Sequence, residues 1–216
     1  MSILEIQTII IAWGNENLRD FFWRSSEDPY LLLLSECFLQ RTRAVQVNNF
    51  LKPFIEKYPN FNSIASASYD DLYSEMKTLG LHWRIKNVKK CAEIIIKKHK
   101  GIIPRNRKDL LGLPGVGEYV SGAYLICKEN MKTYALDTNT VRLLGRLYGL
   151  KINDSARRSN IYKQKMVELL PDNNIREFFY KLLDFSHYIC TSKNPDCSKC
   201  PINSHCAYFD NILIMI

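Results

Sequence analysis

Residues 113–124 read LPGVGEYVSGAY, and this stretch decides how the chain is to be folded. Two glycines flank a valine just before a run of small and apolar residues at helical spacing. Pro114 fixes φ, while Gly115 and Gly117 allow backbone conformations closed to other residues. Upstream, Arg107–Leu111 reads as a short helix ending at Leu111-Gly112. Downstream, Tyr119–Cys127 reads as a second helix. A tight turn between two helices bares backbone N–H groups beside the positive end of a helix dipole, and a phosphate fits there. Such a grip needs no side chain and ignores base sequence. Gly115, Val116 and Gly117 are therefore candidate contacts to a nucleic-acid backbone. The alternative is a helix–helix turn with no ligand.

Working outward, the chain reads as all-α. Apolar residues recur at helical spacing over Ile3–Trp13, Val45–Tyr58, Ile85–Lys98, Ile161–Leu170 and Ile175–His187. Asp28-Pro29 opens a heavily apolar, buried helix over Leu31–Leu39, with proline in its first turn. Ser68–Met76 is a short amphipathic piece, and Asp137–Leu147 is a helix capped near its start. The polar break at Lys128–Lys132 divides two lobes. No strand, repeat or low-complexity segment is expected.

Composition agrees with a soluble globular protein. Of 216 residues, 46% are aliphatic, aromatic or cysteine and 24% are charged. The 30 basic against 22 acidic residues give a net charge of +8, which favours a polyanionic partner. The N-terminus lacks the basic region of a signal peptide, and no run reaches the ~18 apolar residues of a membrane span. An intracellular, cytoplasmic and nucleoid-associated protein is expected, with no membrane partner.

The chain has seven cysteines. Four of them, Cys190, Cys197, Cys200 and Cys206, follow C-x6-C-x2-C-x5-C. Four thiolates this close can wrap one zinc ion or one [4Fe–4S] cluster. Zinc ribbons present two C-x2-C knuckles and this set has one, which favours the cluster. Cys37, Cys91 and Cys127 lie on apolar helical faces and are read as core residues.

Taken together, LPGVGEYVSGA, the following ALDTNTVRLLGR and the terminal cysteine set resemble the helix-hairpin-helix DNA glycosylases of the endonuclease III superfamily that carry an iron–sulfur cluster. The resemblance runs from about Trp23 to Cys206. It implies a two-lobed all-α fold: a six-helix barrel with the hairpin over residues 24–129, and a [4Fe–4S] lobe from residues 1–23 and 130–216. It also implies a monomer that binds double-stranded DNA with a mismatched or damaged base flipped into a groove between the lobes.

Within that superfamily the resemblance turns on Tyr119. Endonuclease III-like members have lysine there, whose amine forms a Schiff base with the sugar and cuts the strand. A phenol cannot do this. Tyrosine is what the thymine-DNA glycosylases of G·T mismatches carry, and GIIPRNRKDLLGLPGVGEY looks like those enzymes along its length. The expected function is a monofunctional base-excision-repair glycosylase releasing thymine or uracil opposite guanine. The alternatives are an adenine glycosylase acting on A·G or A·8-oxoguanine, a DNA-binding module without catalysis, and a zinc-binding adaptor.

Breaking an N-glycosidic bond builds positive charge on the sugar, and a carboxylate near C1′ stabilises that charge or activates water. Asp137 stands where the family keeps this aspartate, although it could equally cap its helix. Glu36, inside the apolar LLLLSECFL, is a carboxylate whose burial needs a reason. The resemblance implies that it protonates the departing base or positions the water. Tyr119 would line the base pocket. Gln40 and Arg41 are candidates to meet the DNA stack. Leu81, with His82 and Trp83, would plug the hole left by flipping. Arg84, Lys86, Lys89 and Lys90 would then face phosphate, Arg142 and Arg146 would bind phosphate or pair with acids, and Lys193 and Lys199 could touch DNA.

Overall fold

The computed structural model describes residues 2–80 and 82–214, with side chains through residue 211. The chain forms twelve α-helices among these residues, with short 3-10 turns between several, and no strand. They are α1 (Ile3–Asn17), α2 (Pro29–Leu39), α3 (Ala44–Lys57), α4 (Phe61–Ser66), α5 (Tyr69–Met76), α6 (Trp83–His99), α7 (Arg107–Leu111), α8 (Glu118–Glu129), α9 (Thr138–Tyr148), α10 (Asn160–Leu169), α11 (Ile175–Tyr188) and α12 (Ala207–Ile214). Two compact units result, one from residues 21–129 and one from residues 1–20 with 130–216. Residues 21–23 group with the middle unit, where the Phe21 ring stacks on Trp23 at 4.8 Å and the turn carrying them packs on α2. Periodicity does not predict α4 or α12. The first is held by a local capping box, in which the Asn60 side chain accepts from the Ser63 N–H and Ser63 returns a contact to Asn60.

The middle unit is built around α2. The Asp28 carboxylate accepts from the Tyr30 N–H at 2.9 Å, and Pro29 supplies the fixed φ of the first turn. Every residue from Tyr30 to Phe38 is buried. A helix that is apolar on all sides must be enclosed by neighbours, and α2 packs against α3 and α8. Burying Leu32, Leu33 and Leu34, each 3% exposed or less, contributes about 1.5–3 kcal/mol per side chain. Lys89 of α6 donates to the carbonyls of Ala65 and Ala67, both at 2.7 Å, so it ends α4 rather than facing solvent.

In the flanking unit, α1 packs on α11. Gly14 makes this possible: a Cβ there would stand 2.7 Å from the Lys181 Cβ. Lys181 is 3% exposed and donates to Asn15 Oδ1 and Glu177 Oε1, both at 2.5 Å. Asp184, fully buried, accepts from the Arg19 backbone N–H at 2.8 Å and from its Nε at 2.7 Å. A buried carboxylate tolerates its desolvation only with several such donors. No helix among the described residues is long and apolar enough to cross a membrane.

Candidate active site

In the middle unit the hairpin is α7, a turn and α8. The Asn106 side chain caps α7 by accepting from the Asp109 N–H at 2.9 Å. The turn closes through the Leu113 N–H to the Leu110 carbonyl and the Val116 N–H to the Leu113 carbonyl, both at 3.0 Å. Gly115 has φ +83°, the left-handed region that favours glycine, and a Cβ there would come 3.2 Å from the Asn87 Cβ of α6. Gly117 differs. A Cβ on it would meet nothing within 4 Å, so nothing in the chain's own packing calls for glycine at this exposed position. Among the described residues, the N–H groups of Gly115 and Gly117 meet no acceptor. The Val116 N–H is consumed inside the turn and its side chain is 4% exposed, so this member of the expected trio is an internal anchor.

Tyr119 lies in the first turn of α8, half-buried, two residues beyond Gly117. Glu36 is 3% exposed on α2. Gln40 caps the C-terminal end of α2, and its Nε2 donates to the Gly115 carbonyl at 2.7 Å. The carboxamide expected to meet the DNA stack is thus engaged within the unit. Arg41 follows with φ +58° and an exposed side chain. A non-glycine residue held in this conformation is strained by roughly 1–3 kcal/mol. Among the described residues its guanidinium meets no acceptor.

The segment opening α6 revises other expectations. Leu81 lies outside the described residues. His82 is exposed, and its ring stacks on Tyr73 of α5 at 5.2 Å with planes 20° apart. Trp83 is 41% exposed. Arg84 faces inward, at 2% exposure, and does not meet phosphate as expected. It donates to the carbonyls of Phe38 at 2.9 Å and Gln40 at 2.7 Å, and to Thr42 Oγ1 at 2.9 Å. Burial lowers its pKa from the usual arginine value. Lys89 is corrected in the same way by its two carbonyl partners, whereas Lys86 and Lys90 are exposed.

In the flanking unit Asp137 caps α9. Its Oδ1 accepts from the Thr140 N–H at 2.7 Å and the Thr140 hydroxyl at 2.9 Å, and its Oδ2 accepts from Asn139 Nδ2 at 3.0 Å. The carboxylate remains partly exposed while its position is fixed. Beyond it on α9, Arg142 and Arg146 pair with no acid among the described residues and donate to backbone carbonyls instead. Arg142 is 9% exposed and donates to the carbonyls of Cys190 at 2.5 Å and Ser186 at 2.7 Å. Arg146 donates to the Thr191 carbonyl at 2.7 Å and lies over the Tyr208 ring at 4.9 Å. Their spacing of four residues shows one shared helix face. Nothing local in the sequence shows that this face holds the start of the cysteine loop. Arg157 is a further residue that sequence reasoning passed over: it donates to Thr138 Oγ1, next to Asp137, at 2.5 Å.

Cys190, Cys197, Cys200 and Cys206 line one pocket, closed on its other sides by residues such as Leu143, Ile202 and Phe209. Burial pushes the Cys200 thiol up to about 11 and raises those of Cys197 and Cys206. A bound metal would displace the protons of such thiols, because the thiolate is the ligand. Among the described residues, no three His, Cys, Asp or Glu side chains stand together closely enough to hold a single metal ion. Four cysteines around one pocket supply the donor set of a metal or iron–sulfur site. Lys199 is engaged with Asp196 at 3.0 Å.

Known proteins similar to this chain match it along nearly its whole length. The chain is 33% identical to the thymine/uracil-DNA glycosylase of Methanothermobacter thermautotrophicus, over 95% of this chain and 93% of that one. It is 30% identical to the adenine DNA glycosylase of Buchnera aphidicola subsp. Baizongia pistaciae (strain Bp), over 97% of this chain but 60% of that one. A solved structure of a thermostable thymine-DNA glycosylase superposes with a TM-score of 0.91 at 31% identity, covering 97% of each chain. Residues 34–168, which include the hairpin, Glu36 and Asp137, match the family described as HhH-GPD superfamily base excision DNA repair protein, and the chain belongs to that family.

Proposed function

We propose that this DNA glycosylase is monofunctional, releasing thymine or uracil mispaired with guanine and leaving the abasic site uncut. The observation that carries the reading is the phenol of Tyr119 in the first turn of α8, where Schiff-base chemistry would require an amine. The two open N–H groups of the hairpin turn hold a phosphate, and Gly117 keeps the approach clear because it places no Cβ there. Tyr119, one step into the helix, then contacts the flipped pyrimidine. Arg41 and Trp83, exposed in the same unit, supply further DNA contacts.

Asp137 is held by three side-chain and backbone donors, so its carboxylate needs no reorganisation as charge develops. It stabilises positive charge at C1′ while the C1′–N bond breaks. Water adds to C1′ and its proton passes to a carboxylate, which returns one proton to the departing base, so that the hydroxyl ends on C1′ and the proton on the base. Glu36, enclosed in α2, is the group assigned to that proton traffic. Cys190, Cys197, Cys200 and Cys206 fit a [4Fe–4S] cluster. When bound, it supplies iron–thiolate bonds that tie the loop after α11 to the end of the chain.

The test is single-turnover base release on labelled duplexes carrying T·G, U·G, A·G and A·8-oxoguanine, each sample split with and without alkali. Strand breaks at T·G and U·G that require alkali are expected. Release confined to adenine would overturn the substrate reading, and breaks without alkali would overturn the monofunctional one. Tyr119→Lys places an amine at the site and is expected to add alkali-independent cutting.

A further inference from the structure

Arg157 stands beside the carboxylate assigned to the sugar. It lies in the short 3-10 turn Ala156–Arg158, within the same unit as Asp137. The turn is anchored locally. Ala156 is 2% exposed, and its N–H donates to the Asn153 carbonyl at 3.1 Å. The Asn153 Oδ1 accepts from the Ser155 N–H at 3.1 Å and from the Ser155 hydroxyl at 2.8 Å. From this turn the Arg157 side chain reaches back 19 residues, and its Nη2 donates to Thr138 Oγ1 at 2.5 Å. Thr138 is the first residue of α9, directly after Asp137.

A guanidinium held next to a carboxylate ordinarily pairs with it. Arg157 makes no ion pair with Asp137 or with any other acid among the described residues. Both Asp137 oxygens are occupied by neutral donors, Thr140 and Asn139. The carboxylate thus keeps its charge for the sugar, and the exposed guanidinium keeps most of its N–H groups open. Stability does not account for this placement. One exposed hydrogen bond offsets little of the rotamer freedom that an arginine gives up, and the first turn of a helix disfavours a cation. Chemistry does account for it. A nucleotide whose C1′ meets Asp137 carries a phosphate on each side of that sugar, and a planar guanidinium matches phosphate oxygens two at a time.

We propose that Arg157 binds a phosphate adjoining the flipped nucleotide, with Thr138 aiming its guanidinium, so that the sugar is held between a cation and the Asp137 carboxylate. The inference rests on the reading of Asp137 as the group that faces C1′.

The test reads the affinity of the full chain for a duplex carrying a tetrahydrofuran abasic-site analogue, and for the same duplex undamaged, between about 50 and 200 mM salt. Losing one phosphate contact reduces the slope of log affinity against log salt by about 0.9. Arg157→Ala is expected to bind the analogue duplex about tenfold more weakly at low salt. That deficit should shrink about three- to fourfold over the salt range. Arg157→Lys keeps the charge and should restore most of the slope. On the undamaged duplex, where no nucleotide is flipped, both variants should show the parent slope. Thr138→Val leaves the Asp137 cap in place and should weaken binding in the parent, but by less than about twofold once Arg157 is alanine. An unchanged slope for Arg157→Ala on the analogue duplex would overturn the phosphate contact. An equal fall on both duplexes would overturn its place beside the flipped nucleotide. A Thr138→Val loss that persists without Arg157 would overturn the aiming role. None of these readouts depends on base release, so failure of the Asp137 assignment shows separately, as an Asp137→Asn variant that still releases base.

Discussion

Asp137→Asn separates two jobs that one carboxylate holds. As a cap, Asp137 receives the Thr140 N–H and hydroxyl on Oδ1 and the Asn139 amide on Oδ2. Asparagine caps helices about as well as aspartate and keeps the Thr140 contacts through its own oxygen. It loses the Asn139 contact, because two NH2 groups then face each other, and it loses the negative charge at the helix N-terminus. The first loss costs about 1 kcal/mol in this partly exposed setting, and the second about 0.3–1 kcal/mol. A total of about 1–2 kcal/mol corresponds to a melting-point drop of roughly 2–8 °C for a chain of this size. The catalytic loss is much larger. Removing a preorganised charge or base typically lowers the rate by about 10²–10⁴, which is about 3–5 kcal/mol of barrier. Single-turnover release on a T·G duplex, well below the melting point of both proteins, gives the comparison. Binding to the abasic analogue should be kept or improved, since a negative charge near phosphate has gone. A folded Asn variant that releases base within about tenfold of the parent rate would refute the assignment and leave Asp137 a helix cap only.

Four other perturbations follow from the same geometry. Arg84→Ala leaves the Phe38 and Gln40 carbonyls without their donor and should cost about 2–4 kcal/mol in denaturant unfolding; a loss under about 0.5 kcal/mol would contradict the burial described. Gly14→Ala sets a Cβ 2.7 Å from that of Lys181, whose amine is fixed by Asn15 and Glu177, and should destabilise by about 1–3 kcal/mol or more on thermal melting. Replacing any one of Cys190, Cys197, Cys200 or Cys206 by serine should lower bound iron and visible absorbance, whereas Cys91→Ser should not, because that thiol, pushed up to about 12 by burial, lies in the core. His187 should titrate below the usual histidine value of about 6.5, since partial burial and then the Arg19 cation both oppose its protonation. Arg19→Ala should move that NMR midpoint upward, because it removes a repelling charge and frees the Asp184 carboxylate.

Much of the helical fold was legible because its signals are local. Asp28-Pro29, Asp137 and the glycines within the hairpin act on groups within a few residues, so their meaning is written beside them. The same holds for the helices with a clear apolar face and for the four cysteines, whose spacing is itself the signal. The pocket that gathers those cysteines came only from the coordinates. α4 escaped notice because six residues are too few to show a period.

By itself, then, the sequence determined an all-helical chain, a glycine hairpin open to an anion, a capped aspartate and a cysteine set able to bind a cluster. Tertiary structure decided where the long polar side chains end. Arg84 and Lys89 read as solvent- or phosphate-facing cations, and Arg142 and Arg146 as cations for phosphate or nearby acids, yet each donates to backbone carbonyls, those carbonyls lying 22–48 residues away. Gln40 likewise reaches across 75 residues to Gly115. The physical reason is that a flexible cationic side chain has little local preference. Its destination depends on which backbone oxygens the packed helices leave without a donor, and those oxygens exist as acceptors only once the helix ends have been brought together.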